Sequence, residues 1–217
     1  MEMKYSRCVK LFGEEGFAKL QKAKVILLGT GGIGSFALDC LYRTGITNIT
    51  IVDFDVYEES NRNRQIGSEA VGEVKVDVLK EKYPGVVAKN AKIDLEWIKN
   101  NDLSSYDLVL DAIDDIPAKI EIICRYYKKL ISTTGGAKRL DPTKIEYKSI
   151  WDTQNDSFAK KIKYELKKRN FKRKFRVVTS SEGANCKDLG SFVGVTGSFG
   201  LTLCSVAVNK ILAKDTN

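Results

Sequence analysis

Lys24-Val25-Ile26-Leu27-Leu28-Gly29-Thr30-Gly31-Gly32-Ile33-Gly34 is the stretch that decides the fold. KVILL is a short apolar run rich in strand formers, as a buried strand requires. Gly29, Gly31, Gly32 and Gly34 follow at once and fit G-x-G-x-x-G. An apolar periodic segment, Gly32 to Thr44, reads as the helix that the turn opens. A second strand, Ile49 to Asp53, ends in an acid 19 residues after Gly34. Glycines allow phosphates to approach the backbone, the helix start offers free N–H groups, and the acid is placed for ribose hydroxyls. Strand, glycine turn, helix, strand and acid together point to an adenine nucleotide.

Outward from that stretch, strands and helices alternate. Glu14 to Lys22 reads as a helix. Val71 to Tyr83 is another, ended by Pro84. Val86 to Ile93 and Leu108 to Asp111 read as strands, Pro117 to Lys128 as a helix and Lys129 to Thr133 as a fifth strand. Lys144 to Ile150 alternates like an exposed strand. A basic helix, a strand near Phe175 to Thr179 and a last helix near Gly197 to Leu212 complete the chain. The expected class is α/β: a Rossmann-like, mainly parallel sheet flanked by helices, with the exposed strand and basic helix inserted in the C-terminal part. No linker divides residues 1–217, so one ATP-binding domain is expected.

NAD and ATP both suit such a frame, and the following residues choose between them. Asn61, Arg64 and Gln65 lie in Ser60-Asn61-Arg62-Asn63-Arg64-Gln65, soon after Asp53, and Lys75 opens the next helix. Asp111, Asp114 and Asp115 stand at the end of the fourth strand. A triphosphate needs cations for its charge and carboxylates for magnesium, and a dehydrogenase needs neither. The set favours ATP with Mg2+. Taken singly, Lys75 also reads as a solvated helix residue and Asp114 as a helix cap before Pro117.

Composition excludes much other chemistry. The chain contains no histidine, so no His-based triad and no imidazole zinc site can form. Its five cysteines, Cys8, Cys40, Cys124, Cys186 and Cys204, include no C-x-x-C pair, which argues against a zinc ribbon or a disulfide framework. Cys40 and Cys204 read as core. The N-terminal MEMKYSRCVK has no apolar core of a leader, so a cytoplasmic protein without membrane attachment is expected. Ser191 to Val208 carries no charge, yet its glycines, serines and threonines read as a tightly packed interior segment ending in a helix.

The net charge of +8 is concentrated. Lys160 to Arg176 holds ten basic residues against Glu165 alone, leaving 26 of the 36 basic and 27 of the 28 acidic residues elsewhere. Phe158, Ile162 and Leu166 recur at helical spacing, and Asp156 is placed to cap that helix. The cations Lys160, Lys161, Lys163, Lys167, Lys168, Arg169, Lys172, Arg173 and Lys174 then form an arm, within 156–176, that calls for a polyanion such as RNA.

GTGGIGS, Asp53, SNRNRQ, VGEVK and DAIDD, in this order, resemble the ubiquitin-activating-enzyme-like (ThiF-type) adenylyltransferases. KYSR and GEEGFAKLQKAKV resemble the same family, and the likeness runs from about Lys4 to Lys210. NRQIGS, DAIDDIPAK, STTGGAKRLDPTKIEY, DSFAKKIKYELKKR and GSFVGVTGSFG are most similar to the branch that dehydrates threonylcarbamoyladenosine in tRNA. The paired C-x-x-C motifs usual in the sulfur-carrier enzymes are missing, which favours the tRNA branch.

The resemblance implies a reaction: ATP adenylates the threonyl carboxylate, and the side chain's own nitrogen closes a ring with net loss of water. It implies roles too. Gly29, Gly31, Gly32 and Gly34 would cradle the nucleotide and Asp53 hold the ribose. Asn61, Arg64 and Lys75 would meet the phosphates with Gln65 nearby, and Asp114 would bind magnesium at the α-phosphate. Arg7 would reach the ATP of a partner subunit, making a homodimer. Thr133, Thr134, Gly135 and Gly136 would shape the carboxylate pocket. Some relatives use a reactive cysteine. Cys186, flanked by Lys187, is the candidate here, beside the simpler reading of an inert thiol, and sulfur-relay partners stay open. The alternative function is adenylation of a ubiquitin-like sulfur carrier. The stretch between the basic helix and Cys186 is short for the tRNA branch.

Overall fold

The computed structural model describes residues 3–213. Helix α1 (Ser6–Lys22) leads into strand β1 (Val25–Leu28), helix α2 (Gly34–Thr44) and strand β2 (Ile49–Asp53). Then come α3 (Lys75–Lys82), β3 (Val87–Asn90), α4 (Leu95–Asn100), β4 (Leu108–Asp111), α5 (Ile116–Tyr126) and β5 (Leu130–Thr133). The C-terminal part adds β6 (Ile145–Ser149), α6 (Ser157–Lys168), β7 (Arg176–Ser180) and α7 (Val193–Leu212). The seven strands form one sheet in the order β3-β2-β1-β4-β5-β7-β6. Every pairing is parallel except that of β6 with β7.

Strand order reverses between β1 and β4. Chain connections leave in opposite directions there, and a crevice opens at the strands' C-terminal ends. The strands beside it are buried on both faces, which explains their unbroken apolar runs. The pleat sends alternate side chains to opposite layers. Val25 and Leu27 join Leu38 and Leu41 of α2 and Phe199 and Leu203 of α7. Ile26 and Leu28 join Ile98 of α4, Ile120 and Ile123 of α5, and Ile162 and Leu166 of α6.

Helix α7 explains the uncharged segment. It is long and apolar enough to cross a membrane, but it packs on α2 and the sheet instead. A Cβ on Gly200 would stand 2.4 Å from the Ile33 carbonyl oxygen, so glycine permits the two helices to approach. Packing thus outweighs the poor helix propensity of Gly194, Gly197 and Gly200, and the helix starts at Val193 rather than near Gly197.

Other boundaries differ as well. Helix α1 begins at Ser6 and is broken at Gly13, where φ is +72°; its second half starts at the expected Glu14. Helix α3 begins at Lys75, because Gly72 has φ +91° and Glu73 still belongs to the turn closed by Tyr57. Helix α4 has only six residues, too short for a periodic signal. Strand β6, expected as exposed, is half-buried along its length and lies at the sheet edge.

Candidate active site

The glycine turn joins β1 to α2 at the mouth of the crevice. Gly29 has φ +85°, and its N–H donates to Val52 O at 2.9 Å, holding the turn against β2. Ile33, the residue before α2, supplies no side-chain cap; Ser35 N–H donates to Gly31 O at 2.9 Å, and the helix start is otherwise left uncapped by side chains at the positive end of its dipole. The four glycines have different surroundings. A Cβ on Gly34 would meet Gly29 O at 2.0 Å, and one on Gly29 would meet Ala112 O at 3.0 Å. A Cβ on Gly32 would touch Arg64 at 3.3 Å. At Gly31 the nearest atom is Gln65 Nε2, 3.9 Å away. The turn is therefore closed below and at its sides and open above Gly31.

Asp53 lies beneath the rim and is 8 % exposed. Its Oδ2 accepts from Thr30 N at 2.6 Å and Thr30 Oγ1 at 2.9 Å, while Oδ1 accepts from Asp55 N. These bonds fix the carboxylate beside the turn. Lys75 is not the solvated residue its position on a helix suggested. It is buried, and its Nζ sits 2.9 Å from Asp55 Oδ2.

The SNRNRQ segment makes one wall. Asn61 is buried; its Oδ1 accepts from Glu58 N and its Nδ2 donates to Ser60 Oγ. Arg64, half-buried, donates to Ser60 O and Asn63 Oδ1. Gln65 is buried with Oε1 lacking a partner among the described residues. Rotating that amide by half a turn presents its NH2 group instead. Tyr57, absent from the sequence expectations, secures this wall. Its hydroxyl donates to Ile66 O at 2.6 Å, and burial pushes its pKa well up, so the phenol stays protonated.

The opposite wall is Ala112–Ile113, in contact range of Gly29, followed by Asp114. Asp114 is exposed, and the cap of α5 is Asp115, which accepts from Ala118 N at 2.8 Å. Asp111 does not face the crevice. It is fully buried and paired with Lys119 of α5 at 2.7 Å, and Ser132 Oγ donates to the same oxygen. Lys119 Nζ also donates to Thr133 O. A buried lysine defies the usual expectation, but Lys119 lies between Ile116 and Ile123 on the apolar helix face, which was a readable signal.

Thr133 and Thr134 lie at the end of β5 with their hydroxyls turned inward, to Asp111 O and Thr179 Oγ1. Gly135, with φ +88° and open space about it, forms the outward edge, and Gly136 packs on Phe199 and Thr196. Arg139 supports this edge and was also missed. It donates to Gly135 O and pairs with Asp156 Oδ2 at 2.9 Å, both side chains being buried. Asp156 Oδ1 meanwhile caps α6 through Ala159 N, as its position suggested. The basic helix is thus anchored to the edge of the crevice.

Not every cation on that arm is free. Arg169 pairs with Glu121 of α5, Lys168 with Glu165, and Lys163 donates to Thr153 O. Glu165 is therefore not the arm's sole acidic neighbour. Lys160, Lys161, Lys167, Lys172, Arg173 and Lys174 stand exposed.

Two expected residues lie apart from the crevice. Arg7 is exposed on α1. The neighbouring Cys8 contacts Arg43 O at the C-terminal end of α2, the far end from the glycine turn. An 11-residue helix separates them, about 16 Å at 1.5 Å per residue. Cys186 is exposed on the loop between β7 and α7, where its thiol donates to Asp188 O. That loop is tied to the site's rim: Asn63 Nδ2 donates to Ser191 O, and Lys138 N to Gly190 O.

Comparison with known proteins covers almost all of this architecture. The model of the ThiF family matches residues 5–215. A Bacillus subtilis tRNA threonylcarbamoyladenosine dehydratase is 33% identical over 189 residues, 82% of this chain and 74% of that protein. The Escherichia coli dehydratase of the same name is 29% identical over 97% of this chain and 94% of its own. The crystal structure of E. coli tRNA N6-threonylcarbamoyladenosine dehydratase, TcdA, in complex with ATP superposes with a TM-score of 0.91 at 30% identity, covering 97% of this chain and 94% of that one.

Proposed function

The chain belongs to the ThiF family, and from that premise we propose that it is an ATP-dependent dehydratase acting on threonylcarbamoyladenosine in tRNA. The observation that carries the reading is the crevice itself. It offers open space above Gly31, a helix start without a side-chain cap, and Gln65 with a buried polar atom lacking a partner among the described residues. These features suit the binding of a phosphate chain and its ribose.

Helix-start N–H groups and Arg64 stabilise charge that develops on the α-phosphate as the threonyl carboxylate attacks it and pyrophosphate leaves. Asn61 and Lys75, released from Ser60 and Asp55, would complete the set that meets the phosphates, and Asp53 would hold the ribose. Among the described residues no group of three or more His, Cys, Asp or Glu is placed to hold a metal ion by itself; the exposed Asp114 would hold magnesium together with phosphate oxygens. That ion, when bound, offsets phosphate charge. The adenylated carboxyl is then attacked by the substrate's own nitrogen and AMP departs. The nucleophile is already tethered, so positioning along Thr133, Thr134, Gly135 and Gly136 supplies much of the rate. No histidine is needed.

Arg7 serves a partner subunit, since its own crevice lies a helix length away. This makes the working form a homodimer. The exposed cations of the α6 region hold the tRNA, and the enzyme works in the cytoplasm. Cys186 is a solvent-facing thiol of the rim loop, available to a sulfur-relay partner. The test is nucleoside analysis of tRNA from cells lacking this gene. The open threonylcarbamoyl form should accumulate; persistence of the cyclic form would refute the assignment.

A further inference from the structure

Helices α5 and α6 enclose a groove of about 730 Å³ that the adenylation chemistry does not use. Its size is within the range of small-molecule sites. Its apolar wall is Ile116, Pro117 and Ile120 of α5, and its other wall presents Tyr164, Lys160 and Lys161 of α6. Tyr164 is 60% exposed, so much of its ring surface is open to solvent. Lys168 Nζ lies 4.4 Å from the ring centroid. Along α5 and α6, Glu165 is engaged with Lys168 and Glu121 with Arg169. The groove begins at Ile116 and Pro117, directly after Asp114 and Asp115, so it runs from the crevice into the basic arm.

We propose that this groove receives an unpaired nucleobase of the RNA substrate, stacked on Tyr164, while Lys160 and Lys161 hold the flanking phosphates. This rests on the tRNA-dehydratase reading. The observation behind it is complementarity: an apolar slot and aromatic ring take a base face, and the cations on the rim take the backbone. A base splayed into the groove would leave the neighbouring modified nucleotide free to enter the crevice at Asp114. A protein partner would suit the apolar wall, but the lysines opposite, continuous with the exposed cations of the arm, favour a polyanion.

The test uses the full chain and tRNA bearing the threonylcarbamoyl group, with RNA affinity and AMP release both measured. Tyr164→Ala should weaken RNA binding about 5- to 150-fold, the range for losing one stacked base. Its salt dependence should remain that of the wild type, because no phosphate contact is lost. Tyr164→Phe should bind like the wild type. Replacing both Lys160 and Lys161 by Ala should instead flatten the salt slope by about one to two units. ATP binding without RNA should be unchanged in all of them. Wild-type affinity in Tyr164→Ala, or equal losses in Phe and Ala, would overturn the stacking role while AMP release by the wild type leaves the dehydratase reading intact. Tyr164-dependent RNA binding with no AMP release by the wild type would do the reverse. A carrier protein that needs Tyr164 when the RNA does not would overturn the groove's assignment to RNA.

Discussion

Gly31 and Gly34 share one turn but are glycine for different reasons. At Gly34 an added Cβ would collide with backbone at 2.0 Å, so Gly34→Ala should cost at least about 1–3 kcal/mol, read as a fall in Tm. At Gly31 nothing stands closer than 3.9 Å. Gly31→Ala should therefore keep its stability within about 0.5 kcal/mol while losing ATP affinity, since only a bound phosphate needs that space. Equal Tm losses in both variants would remove the distinction. Lys119 is a second residue with a sharp expectation. Its ammonium and the Asp111 carboxylate are both fully buried, so Lys119→Ala leaves an uncompensated charge. Chemical denaturation should show a loss of about 3–5 kcal/mol.

At the scale of elements, α5 separates two acids that adjoin in sequence. Asp115 caps the helix, and Asp115→Ala should cost about 1 kcal/mol of stability with ATP still bound. Asp114 is exposed, so Asp114→Ala should leave the unfolding free energy within about 0.5 kcal/mol of the wild type and abolish AMP release. The clasp between α5 and α6 has a pH signature. Hydrogen bonding from Arg169 holds the Glu121 carboxyl below its ordinary 4.5. Its stabilising contribution is therefore complete above that pH and is lost as pH falls through the lower folded value. Glu121→Gln should flatten the acid limb of a stability–pH curve.

These elements also show what the sequence could tell. The strand, glycine turn, helix and acid were legible because each needs a distinct residue type at a fixed spacing. The cap at Asp156 was legible for the same reason. Asp114 and Asp115 were not separable, because either carboxylate satisfies the local pattern and only backbone geometry chooses. Tyr57 and Arg139 went unseen because their partners, Ile66 O and Asp156, are brought in by tertiary folding. The start of α7 was misplaced because packing on α2 overrides glycine's intrinsic preference.

For the whole molecule, charge and fold are arranged together. A body with nearly balanced charge carries the crevice, and the basic helix is fixed to its edge by Asp156 and Arg139. Under the proposed function, anchoring of this kind would hold bound RNA at a constant distance from the adenylating groups. In the proposed homodimer, Arg7, at the other end of α2 from its own crevice, would reach the crevice of a second copy of the chain. Mixing an Arg7→Ala variant with an Asp114→Ala variant should restore one complete site per mixed dimer, about half the activity of a wild-type dimer, if the arginine acts across subunits, and none if it acts within its own.

The most direct measurement is AMP release by the purified protein with ATP and magnesium, comparing tRNA carrying threonylcarbamoyladenosine, the same tRNA without it, and no RNA. A tRNA dehydratase should release AMP and yield the cyclic nucleoside only with the modified tRNA. AMP release that ignores the modification, or none with any tRNA, would contradict it.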